Sequence, residues 1–147
     1  MSDESPTPAD SAVHRGPVVD DTEELLRALT HRSWYDADTK RISSAAFGFP
    51  QFSVDIASIA GSTEATLQQF KPGTGLTRIN CGRTKQIGCA VHQERDDRNP
   101  DNKAHAHVYV PGKSSHRKRL AQQILSIATL IVEPNFPQDD EEVPSPS

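Results

Sequence analysis

The clearest hydrophobic pattern in the chain is a strict alternation over residues 104–110, AHAHVYV. One side of an extended chain carries the small apolar residues Ala104, Ala106, Val108 and Val110. The other side carries His105, His107 and Tyr109. The pattern therefore predicts a strand that packs its apolar side inward and projects two imidazoles and a phenol from the opposite side.

A long amphipathic helix is predicted directly after this strand, which Pro111 and Gly112 end. Ser114 or Ser115 is expected to cap the helix, because a hydroxyl there accepts a hydrogen bond from a first-turn amide. Apolar residues then recur at helical spacing at Leu120, Ile124, Ile127, Ala128 and Ile131, with Leu125 and Val132 widening the stripe. The helix is expected to bury this stripe against a sheet.

Shorter elements are predicted upstream. Leu25–Leu29 fits a strand or a helical turn, and the acidic residues before it favour the helix. Strands are predicted at 41–47 and 52–59. In the second strand Phe52, Val54 and Ile56 share one face, while Ser53, Asp55, Ala57 and Ile59 share the other.

The middle of the chain alternates short helices and strands. The pattern predicts a capped helix at 64–70, a strand at 75–79, a helical turn at 83–87, a strand at 89–92 and a charged loop at 94–102. Short consecutive strands with few helices indicate an α+β domain, with a mainly antiparallel sheet and the C-terminal helix packed on one face.

The charge distribution divides the chain into three parts. Residues 1–24 carry one arginine against seven acidic residues, for −6, and residues 134–147 carry four acidic residues, for −4. Both segments are rich in Pro and Ser, so disordered acidic tails are expected there. The predicted single domain, residues 25–133, carries 15 Lys and Arg against 9 Asp and Glu, for +6. The tails are expected either to shield this basic domain from non-specific anions or to keep it soluble.

The sequence also predicts the compartment. No apolar run is long enough to span a membrane, and the first 20 residues lack the apolar core of a signal peptide. Cys81 and Cys89 have neither redox nor zinc-finger spacing, so both are expected to be buried thiols. A cytoplasmic protein is therefore expected, with no membrane partner.

His105 and His107 form the sharpest candidate for chemistry. Two imidazoles on one face of a strand, about 7 Å apart at roughly 3.3 Å per residue, suit a metal, an acid–base role or a structural role. A metal would need a third ligand, from His92, Asp97, Asp101 or Asp55, and no metal site is assigned. Asp55 itself needs an explanation, because Asp is disfavoured within strands.

A second candidate is the basic segment KSSHRKR at the start of the predicted C-terminal helix. Positive charge is disfavoured by the helix dipole there, so an anion is expected to compensate for Lys113, Arg117, Lys118 and Arg119. The alternative is a solvated basic turn. Val110–Ser114 does not complete a nucleotide-hydrolysing phosphate loop, because His107 stands where the first glycine is needed.

The region 41–112 resembles a group of small uncharacterised bacterial proteins. The resemblance rests on Ser43-Ser44-Ala45-Ala46-Phe47, Ser53-Val54-Asp55 and Asn102-Lys103-Ala104-His105-Ala106, with Lys103 where those proteins have proline. It implies a bacterial or phage-borne cytosolic protein, brings no known activity, and points to Ser44, Asp55 and His105 as site residues.

Three functions follow as expectations. The first is a binding module that holds a nucleic acid or nucleotide-like ligand through Lys113, Arg117, Lys118, Arg119 and Arg27. The second is a small hydrolase or transferase that uses His105 and His107 with Asp55, Ser44 or Arg27. The second function includes an arrangement like that of ADP-ribosyltransferases, with Arg27, Ser43 or Ser44, and Glu94. The third is a protein-interaction module with exposed Trp34 and Tyr35 or with the tails. The sequence leaves the cofactor unknown.

Overall fold

The computed structural model describes residues 15–137. Eight strands and four α-helices make up this region. The strands are β1 (Glu24–Leu29), β2 (Tyr35–Asp36), β3 (Arg41–Ile42), β4 (Gln51–Ile56), β5 (Gly75–Asn80), β6 (Ala90–Gln93), β7 (His105–Tyr109) and β8 (Thr129–Val132). The α-helices are α1 (Ala57–Ala60), α2 (Thr63–Leu67), α3 (Cys81–Ile87) and α4 (Ser114–Ile127). Two 3₁₀ helices span Arg32–Trp34 and Ser44–Phe47.

Six of the strands form one sheet in the order β6-β7-β4-β1-β5-β8. Every neighbouring pair is antiparallel. β2 and β3 form a separate two-stranded ribbon. The α+β class, the antiparallel sheet and the C-terminal helix are confirmed.

The two faces of the sheet differ in what covers them. On one face, the predicted apolar sides of β4 and β7 join Leu120, Ala121 and Ile124 of α4 in the main core, together with the 3₁₀ residues Ala46 and Phe47. On the other face, Leu26, Ala28 and Leu76 form a smaller cluster with Leu67 of α2. The rest of that second face is polar, because it carries the alternate residues of β4 and β7.

The helical prediction for Leu25–Leu29 is wrong. The segment is strand β1, which pairs with β5 along its whole length and with β4 at Leu25 and Leu26. Because its two faces contact the two hydrophobic clusters, the segment is apolar on both sides and lacks the alternation of a half-buried strand. The acidic residues before it are therefore not a helix start.

The strand predicted at 41–47 is also largely wrong. Only Arg41 and Ile42 are extended, and Ser44–Phe47 form a 3₁₀ helix. The Ser43 hydroxyl accepts a hydrogen bond from the Ala45 amide at 3.1 Å and caps this helix. Similarly, β4 ends at Ile56, and α1 occupies the last residues of the predicted strand.

The C-terminal helix is shorter than its apolar repeat suggested. α4 ends at Ile127, and the following residues form edge strand β8 beside β5. Ile131 and Val132 pack against the smaller cluster, on the face of the sheet opposite α4. The apolar residues that continue the helical spacing beyond Ile127 therefore belong to a strand.

The packed region begins before the predicted boundary at residue 25. Val19 is buried in the main core, and its amide donates to the Val91 carbonyl at 3.0 Å. Residues 134–137 also contact the domain, since the Asn135 amide donates to the Gly73 carbonyl at 2.8 Å. The rest of both predicted tails, residues 1–14 and 138–147, lies outside the described residues.

Across residues 15–137, no helix is both long and apolar enough to cross a membrane. Cys81 and Cys89 are buried free thiols, as predicted. Burial raises the pKa of each thiol to about 11, so neither is a reactive thiolate at neutral pH.

Candidate active site

The polar face of the sheet brings four side chains of β4 and β7 together. The antiparallel register places Ser53 opposite His107 and Asp55 opposite His105. Directly paired residues point to the same face of a sheet. The two histidines of the HxH pattern therefore share this face with Ser53 and Asp55.

Ser53 and His105 form a hydrogen-bonded pair. The Ser53 Oγ lies 3.1 Å from His105 Nε2, and His105 Nδ1 lies 2.9 Å from the Glu94 carbonyl oxygen. A carbonyl oxygen only accepts, so Nδ1 carries the proton, and Nε2 of the neutral imidazole accepts from the serine hydroxyl. His105 is buried at 4% exposure, whereas Ser53 is exposed. This is the geometry of a nucleophile, a base and a group that orients the base.

Asp55 has a different role. Its Oδ2 accepts hydrogen bonds from Thr66 Oγ1 at 2.7 Å and Gln69 Nε2 at 2.9 Å, and its Oδ1 accepts from Asn102 Nδ2 at 2.9 Å. Both carboxylate oxygens of this buried residue are thus occupied by neutral donors. Asp55 ties α2 and the loop before β7 to strand β4, which explains an aspartate within a strand.

Glu94 organises a second network beside the pair. Its Oε1 accepts from His107 Nδ1 at 2.6 Å and from the Tyr109 hydroxyl, and its Oε2 accepts from the Gly16 amide at 3.1 Å. Burial raises the pKa of the Glu94 carboxyl, but the hydrogen bonds from Tyr109, His107 and Gly16 lower it by more, so the pKa lies below its ordinary value. Burial, reinforced by the neighbouring carboxylate, raises the pKa of Tyr109 to about 12.

This network positions His105 indirectly. The Glu94 backbone carbonyl accepts a hydrogen bond from His105 Nδ1, while the Glu94 side chain is held by His107 and Tyr109 on the same face of β7. The Glu94 amide also donates to the His105 carbonyl at 3.1 Å. The carbonyl that orients His105 is therefore held from both sides.

The segment before β1 completes the network. Gly16 donates to Glu94 and accepts from His92 Nδ1 at 2.8 Å, and the Arg15 guanidinium lies 3.9 Å from the centre of the Tyr109 ring. A Cβ at position 16 would overlap the Gln93 carbonyl oxygen, so only glycine fits there. Sequence patterns gave no sign of this contact, because residues 15–19 read as part of an acidic tail.

An open cleft of about 850 Å³ lies over Ser53 and His105. One side is formed by α2 and the turn after it, including Phe70 and Lys71, and another by the 94–102 loop, including Arg98. Phe70 is 39% exposed, which is unusual for so large an apolar ring. The cleft thus offers apolar surface, the three cations Arg27, Lys71 and Arg98, and the serine hydroxyl to a ligand.

The predicted site residues fall into separate groups. His105 and Asp55 line the cleft, with His107 next to His105 at 4.6 Å between ring centres. Ser44 does not line it, since its 3₁₀ helix packs on the α4 face of the sheet. The serine beside His105 is Ser53, and the structure does not bring Ser44 together with His105. The set of Arg27, Ser44 and Glu94 is not assembled either, because the helix of Ser44 packs on the α4 face, whereas the Glu94 carboxylate binds His107 and Tyr109 on the opposite face.

The basic segment lies apart from this cleft. Lys113, Lys118 and Arg119 are exposed on the first turns of α4, and Arg117 Nη1 donates to the Gly112 carbonyl at 2.8 Å. Lys113 is the N-cap residue and no side chain caps the helix, so the capping predicted for Ser114 or Ser115 is wrong. Of the ligand-binding residues predicted, only Arg27 lines the cleft.

Two other predictions concern metal and exposed aromatics. Within residues 15–137, no group of three or more His, Cys, Asp and Glu side chains is arranged to hold a metal ion. Trp34 is buried at 7% exposure rather than exposed. The Tyr35 hydroxyl donates to Glu133 at 2.8 Å. The expected pair of exposed aromatics is therefore absent from the described surface.

Comparison with protein-family models, with curated proteins and with solved structures finds no match to this chain.

Proposed function

We propose that the protein is a small hydrolase or acyltransferase in which Ser53 is the nucleophile and His105 the general base. The observation that carries the proposal is the hydrogen bond from the Ser53 hydroxyl to His105 Nε2 at 3.1 Å, at the base of an open cleft. Among reactions open to such a pair, transfer of an acyl group from an ester uses the two groups found here, a nucleophilic hydroxyl and an adjacent base.

The geometry supports each proton transfer. Ser53 Oγ forms a bond to the ester carbonyl carbon while its proton passes to His105 Nε2. The resulting imidazolium keeps its second proton on Nδ1, held by the Glu94 carbonyl. His105 then gives the first proton to the departing alkoxide, and water or another acceptor releases the acyl group from Ser53 by the reverse sequence.

Hydrolysis of p-nitrophenyl acetate by the full chain tests this proposal. Ser53→Ala should reduce the rate by about a hundredfold or more, as loss of an activated nucleophile does. The matched control is Ser44→Ala, which removes a serine from the other face of the sheet and should leave the rate unchanged. Equal rates for Ser53→Ala and the native chain would exclude Ser53 as nucleophile.

A second candidate function is binding of a phosphate-bearing partner, such as a nucleic acid, at the start of α4. It is favoured by the exposed cations at 113, 118 and 119 and by the absence of a side-chain cap among the described residues. Affinity for single-stranded DNA should then fall steeply between roughly 50 and 200 mM salt. A Lys118→Glu substitution should weaken binding, and binding that does not depend on salt argues against this role.

A further inference from the structure

The six-stranded sheet is split beside the Ser53–His105 pair. β1 and β4 pair only at Leu25–Ile56 and Leu26–Asp55. Beyond these residues β1 continues to pair with β5 as far as Leu29, and β4 with β7 as far as Gln51. The two central strands therefore separate where β4 carries Ser53, and the cleft lies over both strands at this point.

The Arg27 guanidinium bridges this split. Its Nη1 donates to the Ser53 carbonyl at 3.2 Å, and its Nε donates to the Ala46 carbonyl at 3.0 Å. It also lies 4.8 Å from the centre of the Phe52 ring and 5.1 Å from that of Trp34. Arg27 thus spans part of the split and bonds to the backbone carbonyl of the proposed nucleophile. Its neighbours Phe52 and Trp34 belong to the core on the α4 face, so Arg27 meets the cleft through the split and not from the face that carries the Ser53 hydroxyl.

This charge has no acidic partner in the described part of the chain. Among residues 15–137, no carboxylate lies within ion-pair distance of Arg27, although Glu24 on the same strand pairs with Arg78. Burial lowers the pKa of Arg27 to about 10, which reflects the cost of removing the guanidinium from water. The described hydrogen bonds use two of its five N–H groups. A partly desolvated cation with donors to spare is a favourable partner for an oxyanion.

We propose that Arg27 is the anion-binding residue of the cleft, and that the natural substrate is a small ester carrying a phosphate or carboxylate group. The inference rests on the proposed function, since it assigns the anion to a substrate of Ser53. Arg27 fits this role better than Lys71 or Arg98, because both of those side chains are exposed to water, whereas Arg27 is partly buried. A guanidinium also presents paired donors that match the two oxygens of either anion.

Titration of the full-length Ser53→Ala variant with inorganic phosphate, and separately with acetate, tests the inference by NMR. We expect phosphate, acetate or both to shift the Arg27 Nε resonance in a saturable way. The anion that binds more tightly identifies the charged group of the substrate. Shifts absent with both anions would overturn it. Because this variant lacks the proposed nucleophile, anion binding is measured independently of catalysis.

Substitution of the cation supplies the second arm of the test. Arg27→Met should weaken anion binding by about tenfold or more, the effect of losing a charge-assisted hydrogen bond. Arg83→Met, which removes an exposed cation on α3 outside the cleft, should leave it unchanged. Equal loss in both variants, or none in Arg27→Met, overturns the assignment. If Arg27→Met fails to fold, the Arg27 resonance in Ser53→Ala still decides the question.

Discussion

Replacement of Asp55 by alanine should destabilise the fold strongly, because the carboxylate holds three separate segments together. The bond from Thr66 is fully buried, and its loss costs about 2 kcal/mol for a hydrogen bond to a charged acceptor. The hydrogen bonds from Gln69 and Asn102 are only partly buried, so water can replace the carboxylate at these amides. Loss of each of these two bonds should therefore cost about 0.5 kcal/mol. The free energy of unfolding should therefore fall by about 3 kcal/mol.

Urea unfolding followed by tryptophan fluorescence measures this loss, since the single tryptophan, Trp34, is buried in the core. Asp97→Ala is the matched control: its side chain is 98% exposed and contacts Arg95 at 4.0 Å, so it should cost less than about 0.5 kcal/mol. Thr66→Val should add little in an Asp55→Ala background, because the bond is already lost. A loss below about 1 kcal/mol for Asp55→Ala would refute this structural role.

Three further predictions concern the Glu94 network, the segment before β1 and the buried thiols. Because the folded pKa of Glu94 is lowered from 4.5, its contribution to stability is present above that value and is lost as the pH falls through the folded pKa. Glu94→Gln should therefore flatten the acid side of a stability–pH profile, and an unchanged profile would contradict the network. Gly16→Ala should cost about 1–3 kcal/mol in urea unfolding, because the new methyl overlaps a β6 carbonyl, and a neutral effect would place residue 16 elsewhere. With pKa values of about 11, Cys81 and Cys89 should react with a thiol reagent at pH 8 at least about a hundredfold more slowly than in urea, whereas equal rates would contradict their burial.

The period-2 patterns predicted the strands of the site well. The apolar sides of β4 and β7 are buried as expected, and Ser53 was placed on the same face as Asp55. Ser53 was not singled out as a site residue, because its position beside His105 depends on how β4 aligns with β7. That register follows from long-range pairing, which a single sequence does not contain.

The contacts of Glu94 and Arg27 could not be predicted for a similar reason. Glu94 was read as the first residue of a charged loop, yet its partners come from β7 and from residue 16. Arg27 was singled out, but not the split between β1 and β4 next to which it makes its hydrogen bonds. Both roles depend on contacts between segments far apart in sequence.

The most direct test of the central claim is to label the full chain with a fluorophosphonate and locate the adduct by peptide mass spectrometry. The reagent forms a phosphorus–oxygen bond with an activated serine and releases fluoride. The account predicts one adduct, on Ser53, that is absent from Ser53→Ala and retained in Ser44→Ala. A native chain that stays unlabelled, or that is labelled equally after Ser53 is removed, would contradict it.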